Sequence, residues 1–314
     1  MAPTAAPTGV PRPSTPNYIL AADRIAFCFR PDAEPVLRVR PGETVAIETS
    51  AAPVERLFAA GDGWVQVSDS EAINAVTGPI FIEGVRPGDA VAVEILDIAF
   101  GSWGWNMSFP HYGLLAGKLR APSLTRHTIS DGRVHLTDRL SLPLRPMIGC
   151  LGLAPAAGES STLGPAYPWG GNMDLVQAKP GNTVLLPAQV PGGLFSLGDL
   201  HAAMGVNEAT FVAIEAPGVA TVRLDVRPGL TLPSPRVESP KRTYVMGFDP
   251  GPTYSLEAAR GRAVDNLYAM LTGERGFSPE EAQLLVAGAA DIELGGPACA
   301  IVLASVPNDV GLRV

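Results

Sequence analysis

The sequence predicts a mainly β protein with two helices near its C-terminus, and three observations carry that prediction. Glycine (34) and proline (31) together make up about a fifth of the 314 residues, a density that suits many short strands joined by turns. A turn phrase, a basic residue followed by Pro-Gly and an extended apolar run, recurs four times. Hydrophobic spacing of helical period becomes evident only after residue 250.

In chain order, the opening "MAPTAAPTGVPRPSTP" has neither a basic start nor an apolar stretch, so it is not a secretory signal. Residues 1–18 read as a flexible Pro/Thr/Ala arm, and residues 19–314 as one β-rich domain with a sub-boundary near 234–242. "YILAAD" begins the strands. The turn phrase gives "RPGETVAIET" from Arg40, "RPGDAVAVEI" from Arg86, "KPGNTVLLPA" from Lys179 and "RPGLTLPSP" from Arg227. Proline pre-sets φ for a tight turn, glycine accepts the positive φ that follows, and the run after them reads as a strand. Further strands are expected at "GPIFIEGV", "GLFSLGDLHA", "ATFVAIEA", "VATVRLDV" and "CAIVLASV", which makes residues 1–250 overwhelmingly β. "SLEAARGRAVDNLYAML" then sets Leu256, Ala259, Ala263, Leu267, Met270 and Leu271 on one helical face. "FSPEEAQLLVAGAA" carries Ser278 as N-cap, Pro279 at the first helical position and Glu281 at the third, which is a capping box.

Charge and cysteine usage narrow the function classes. The net charge is −8, which gives no general attraction to phosphate backbones, so nucleic acid is not an expected partner. No apolar run is long enough to cross a bilayer, and a cytoplasmic location is expected. Cys28, Cys150 and Cys299 are far apart and odd in number, which argues against a disulfide framework or a cysteine-bound structural zinc.

The richest chemistry lies in "GDLHAAMGVNEA", Gly198 to Ala209. On a strand Asp199 and His201 project to one face. A hairpin centred on Met204–Gly205 would set Glu208 directly opposite His201, whereas a turn centred on Val206–Asn207 would move Glu208 along the strand. These groups could bind a metal or move protons; equally, they could line the solvent face of a hairpin. "YPWGGNMDL", Tyr167 to Leu175, places Asn172 and Asp174 on one face beside two glycines, as a ligand loop or an Asx-type turn. Glu83 ends an apolar strand and is a candidate proton carrier or an ordinary strand-end carboxylate. "SWGWNMSFPHYGLL" gathers aromatics that could line a small pocket; His111 within it, and His127 and His135 beyond it, read as loop or surface histidines. No GxSxG, HExxH, GxxxxGK[ST] or GxGxxG motif occurs.

The segments "TGPIFIEGVRPGD", "GWNMSFPHYGLL", "PMIGCLGLAP", "GGNMDLVQAKPGNTVLLP" and "GGLFSLGDLHAAMGVNEA", followed by the helical "EAARGRAVDNLYAML", together resemble the acetamidase/formamidase family over almost the whole chain after residue 20. The resemblance implies a β-sandwich core, hydrolysis of short amides to ammonia and a carboxylic acid, a bound divalent metal (zinc first, calcium as an alternative) and a homodimer or higher homo-oligomer. It implies Asp174, Asp199 and His201 as metal ligands, Glu208 as general base and Asn172 as the group that orients the substrate carbonyl, with ligand and base labels exchangeable. Departures from the family pattern stand at Ala51, Val206 and Asn207, where two carboxylates and a glycine are expected, and at His111. They keep open a non-catalytic small-molecule-binding member of the same fold, or a hydrolase of a larger or cyclic amide.

Overall fold

Three of the four Pro-Gly turns launch the strands expected of them. In the computed structural model, which describes residues 15–70, 73–251 and 254–311, Gly42, Gly88, Gly181 and Gly229 all take positive φ, between 71° and 94°. Strands Glu43–Glu48, Ala90–Phe100 and Thr183–Pro187 follow the first three. The fourth turn leads into irregular chain, and strand pairing resumes only at Arg236–Glu238. Pro233 and Pro235 lie in that run and have no N–H to give a ladder.

Among the described residues one sheet has nine strands. Its longest strand, Ala90–Phe100, is flanked by Gly218–Arg227 and by the central strand Thr183–Pro187; one edge is Tyr18–Leu20 and the other Asp291–Leu294. A second sheet of eleven strands is organised around Phe195–Ala203, which pairs with Met147–Gly152, Val76–Ile82 and Ile214–Glu215. The two sheets face each other. Val45, Ile47, Val93, Ile95, Val222 and Leu224 of the first meet Ile80, Ile82, Ile148, Leu151, Phe195 and Leu197 of the second in one continuous buried core. This is the expected sandwich, held by burial of apolar area from both inner faces. Asn17 and Tyr18, at the end of the expected arm, are bonded into the first sheet: Tyr18 pairs with Val45, and the Asn17 N–H donates to the Thr44 carbonyl at 2.9 Å. Residues 1–14 of that arm lie outside the described residues. The stretch at 234–242 contains the strand Arg236–Glu238, paired on both sides within the first sheet.

Four helices occur among the described residues, not two. Helix α1 (Ala52–Ala59) and helix α2 (Trp64–Ser70) interrupt the part of the chain read as β throughout. They are short; Pro53 starts the first, and Val54, Leu57 and Trp64 bury against Met107 of the aromatic strand Trp103–Ser108. Helices α3 (Leu256–Gly273) and α4 (Pro279–Ala289) form as expected. Ala259, Ala263, Leu267, Met270 and Leu271 are buried against Val245, Val302 and Ala304 on the outer face of the first sheet, while Leu256 remains exposed. Both halves of the Ser278–Glu281 capping box are present. No helix among the described residues is long and apolar enough to cross a membrane.

The α3 contact is close enough to require glycine at 247: a Cβ there would meet the backbone of Ala259 and Ala263. Gly261, on the exposed side of the same helix, has open space around it. In urea unfolding, Gly247→Ala is expected to destabilise the protein by about 1–3 kcal/mol through overpacking. Gly261→Ala is expected to stabilise it by about 0.5–1 kcal/mol, from helix propensity and a less flexible unfolded chain.

Candidate active site

The strand Phe195–Ala203 carries Asp199 and His201 through the middle of the second sheet. On one side Met147 pairs with His201, Ile148 with Leu200 and Cys150 with Gly198, which sets Gly149 beside Asp199. On the other side His201 pairs with Glu215. The Gly149 carbonyl accepts from both Met173 N–H (3.0 Å) and Asp174 N–H (3.1 Å), and so folds the segment after Gly170–Asn172 back over the sheet. Gly149 is also the reason the site has an interior. An added Cβ would lie 2.6 Å from Asp174 Oδ1, 2.6 Å from Asp199 Oδ2 and 2.7 Å from His201 Nε2. Three donor atoms therefore converge on one small space that any other residue would fill.

His201 is fully buried, with Nε2 3.3 Å from Glu215, 3.4 Å from Asp199 and 3.8 Å from Asp174. Its Nδ1 faces the Met204 sulfur at 3.2 Å. Glu208 enters from a 3-10 turn, Val206–Glu208, and it too approaches His201 and Glu215: the ligand-type atoms of these three lie within 4.8 Å of one another. Asp174, Asp199 and His201 form a second such group. Both Asp174 oxygens and His201 Nε2 are buried without a hydrogen-bond partner. Buried polar atoms in native proteins are paired, so three orphans aimed at one point fit a cation with carboxylate and imidazole ligands.

Electrostatics tell the same story from the proton's side. Burial, then the neighbouring Glu208 and Asp199 charges, hold the Asp174 carboxyl well above the usual carboxylate range. Burial and Asp199 do the same to Glu215. Burial also raises Glu208, to about 7, against the opposing pull of His201. For Asp199 burial is outweighed by the His201 imidazolium, which lowers its pKa; reciprocally, Asp199 raises His201 against the effect of burial. Crowded carboxylates in a low-dielectric interior cannot all ionise without a compensating positive charge.

The local backbone is unusual. Asp174 (φ 46°), Asp199 (φ 59°), Asn207 (φ 72°) and Glu208 (φ 41°) all lie in the left-handed region. Such conformations cost roughly 1–3 kcal/mol each and persist only where the surroundings impose them. Asn207 Nδ2 donates to the Gly295 carbonyl at 2.8 Å, and Gly296 N–H donates to the Met173 carbonyl at 2.9 Å. The loop before the last strand thus braces both the Glu208 turn and the Asp174 segment.

Asp174, Asp199, His201 and Glu208, the residues singled out from sequence, come together, but not by the anticipated hairpin. The chain makes a 3-10 turn and a loop before it returns, and the residue opposite His201 is Glu215 rather than Glu208. Glu215 was missed because its strand, Ile214–Glu215, is two residues long; its signal was a lone acid within the apolar run "FVAIEA". Asn172 is buried at the edge of the site, where its Oδ1 accepts from Asn74 Nδ2 at 3.2 Å. Asn74, also missed, further donates to Asp199 Oδ2 at 3.3 Å. Glu83, His111 and His135 are exposed and line neither of the cavities at this centre; His127 is buried in the strand Ser123–Ser130, contrary to its expected exposure, and also lies apart. Val206 is 51% exposed and lines an outer groove, so the carboxylate expected at that position is not subtracted from the buried centre. Asn207 is turned to its bracing role, and Ala51 lines a side cavity.

A cavity of about 80 Å³ reaches the centre. Asp174, Asp199, Glu208 and Glu215 line its polar end, with Asn74 and Asn172; Trp105, Met107, Phe211 and Val212 contribute apolar wall. It is far below the size of a drug-type pocket and suits a small neutral molecule with an amide-like polar end.

The chain is similar to known proteins along most of its length. A model of the Acetamidase/Formamidase family matches residues 21–164 and 156–308. A formamidase of Methylophilus methylotrophus is 27% identical over 267 residues, a match covering 64% of this chain and 63% of that protein. The chain spans just under two thirds of the length of the curated relatives it matches. The acetamidase from Bacillus halodurans has a similar structure, with TM-score 0.85 and 30% identity over 92% of this chain and 97% of that one. A predicted acetamidase/formamidase from Thermoanaerobacter tengcongensis gives TM-score 0.85 and 29% identity, over 93% and 95%.

Glu208 yields a pH signature in protein freed of metal by chelation. Its folded pKa, about 7, exceeds its ordinary 4.5, so between those values the folded state keeps a proton that the unfolded chain has released. That contribution to stability is complete below pH 4.5 and is lost as pH rises through about 7. Urea titrations should show Glu208→Gln gaining on wild type across this window by on the order of 3 kcal/mol.

Proposed function

Because the chain belongs to the acetamidase/formamidase family, we propose that it hydrolyses the C–N bond of small linear amides, releasing ammonia and a carboxylate, with a divalent cation held by Asp174, Asp199 and His201. The observation that carries this reading is the convergence of three donor atoms beside Gly149, two of them on side chains with orphaned buried polar atoms, at the inner end of a small cavity. The donor set, one imidazole with carboxylates, suits zinc first, with calcium or another divalent ion as the alternative. When bound, such an ion supplies Lewis acidity toward water and the amide carbonyl.

The chain's own residues supply the rest. His201 offers Nε2 to the cluster, with Nδ1 fixed against Met204. Asn172 stands at the cavity's polar end, its Oδ1 held by Asn74 Nδ2, where its amide N–H can meet the substrate carbonyl oxygen. Glu208, a buried carboxylate lining the polar end of the cavity, is placed to accept a proton from the attacking water as its oxygen bonds to the carbonyl carbon. The same carboxyl then returns that proton to the departing nitrogen as the C–N bond breaks, leaving ammonia and the carboxylic acid. Glu215, opposite His201, completes the negative field that favours a cation. The apolar wall of Trp105, Met107, Phe211 and Val212 excludes bulk water around the acyl group. Residues 19–314 are taken as one functional unit, cytoplasmic and homo-oligomeric, with the exposed Tyr112, Leu114 and Leu115 as surface a second subunit would cover.

Metal content and ammonia release from formamide, acetamide and longer amides test the reading. Wild type should carry a divalent metal and turn over at least one short amide. His201→Ala and Gly149→Ala should lose both metal and turnover, the latter by filling the ligand space without removing a ligand. Glu208→Gln should keep its metal while kcat falls by about 10²–10⁴-fold. A metal-free wild type inert toward every amide sinks the proposal, as does full turnover in His201→Ala.

A further inference from the structure

Behind the wall of the substrate cavity lies a second compartment. Its volume is about 50 Å³, and it is lined by Asp199 and Glu215 but not by Asp174 or Glu208. The two spaces share Ile73, Asn74, Trp105, Asp199 and Glu215. Trp105 is the largest side chain in that shared wall. It is fixed there because its backbone pairs with Glu215 and its side chain packs against the cluster of Val54, Leu57, Trp64 and Met107.

Away from the shared wall with its Asn74, Asp199 and Glu215, the second compartment is lined by the small or apolar Ala51, Pro53, Val54, Ala75 and Ala216, with the hydroxyls of Thr49 and Ser50. Its hydroxyls are engaged locally: Thr49 Oγ1 donates to the Gly218 carbonyl and accepts the Gly218 N–H at 3.0 Å, and Ser50 Oγ accepts the Ala52 N–H at 3.3 Å. Neither compartment is lined by lysine or arginine among the described residues, so neither offers a partner to a charged acyl tail.

Building on the amidase reading, we infer that Trp105 is a partition that sets acyl-chain length, and that the space beyond it is a latent subsite for the distal methylenes of longer neutral amides. With the indole in place the acyl group is confined to the cavity holding Asn172 and Asp174. Removing the indole joins the two spaces and lets a straight chain run toward Ala51 and Ala75.

The test is chain-length selectivity in Trp105→Ala and Trp105→Leu, the second keeping apolar packing against α1. Binding of acetamide, butyramide and hexanamide is measured by calorimetry, alongside ammonia release. In both variants the hexanamide-to-acetamide ratio of affinities, and of kcat/KM, should rise at least about tenfold over wild type, since even one methylene accommodated by an apolar pocket is worth that much. The change should appear mainly in KM. Ala51→Leu added to either variant should reverse the gain by filling the far compartment. An unchanged ratio in both folded variants, binding of no amide by any of them, or a gain that survives Ala51→Leu overturns the inference. A protein that binds amides with the expected length shift yet never releases ammonia supports the partition and refutes the hydrolase reading.

Discussion

Four carboxylates and one imidazole share a buried pocket, and the rest of the site follows from that crowding. Asp174, Asp199, Glu208 and Glu215 surround His201 inside a sandwich whose other contents are mostly aliphatic. One imidazolium can neutralise one of them; Asp199 lies 3.4 Å from His201 Nε2, and a positive His201 lowers its pKa. The remaining acids must retain protons or meet a cation, because breaking up buried charge without compensation costs several kcal/mol. Protons and a cation would therefore compete for the same oxygens, and the affinity of a cation would rest on ligands that release protons to receive it.

Holding like groups together requires a scaffold that does not yield. The sheets provide it through register: His201 is fixed by Met147 on one side and Glu215 on the other. The backbone provides the remainder through conformations it would not choose alone, with Asp174, Asp199 and Glu208 all left-handed. Gly149 supplies space where a side chain would intrude, and its carbonyl draws in the Asp174 turn. The positions that form the acid cluster are thus the positions where local preference is overruled by tertiary contact, a pattern expected of functional sites.

Much of the fold was legible from residues. Pro-Gly turns announced Glu43–Glu48, Ala90–Phe100 and Thr183–Pro187 because the turn geometry depends on those two residues alone. The Ser278–Glu281 cap was legible for the same reason. What escaped was decided at longer range. Helices α1 and α2 are short and owe their stability to Met107 and the aromatic strand, far along the chain. The grouping of Asp174 with Asp199 and His201 was available only through family resemblance, since no spacing rule links residue 174 to residue 201. Glu215 depended on the length of the loop between Ala203 and Ile214, which no local pattern fixes. Gly149 reads as an ordinary strand glycine until the side chains around it are placed.

The brace between Asn207 and Gly295 has a consequence for how the centre comes into being. The acids at 174 and 208 are steadied by a loop that enters the chain nearly ninety residues after the second of them. A ribosome-bound chain that has reached the strand Gly218–Arg227 still lacks that loop and the strand Ala300–Pro307 that anchors it. Bracing of the pocket is thereby coupled to the emergence of the C-terminal segment, the last part of the chain to leave the ribosome.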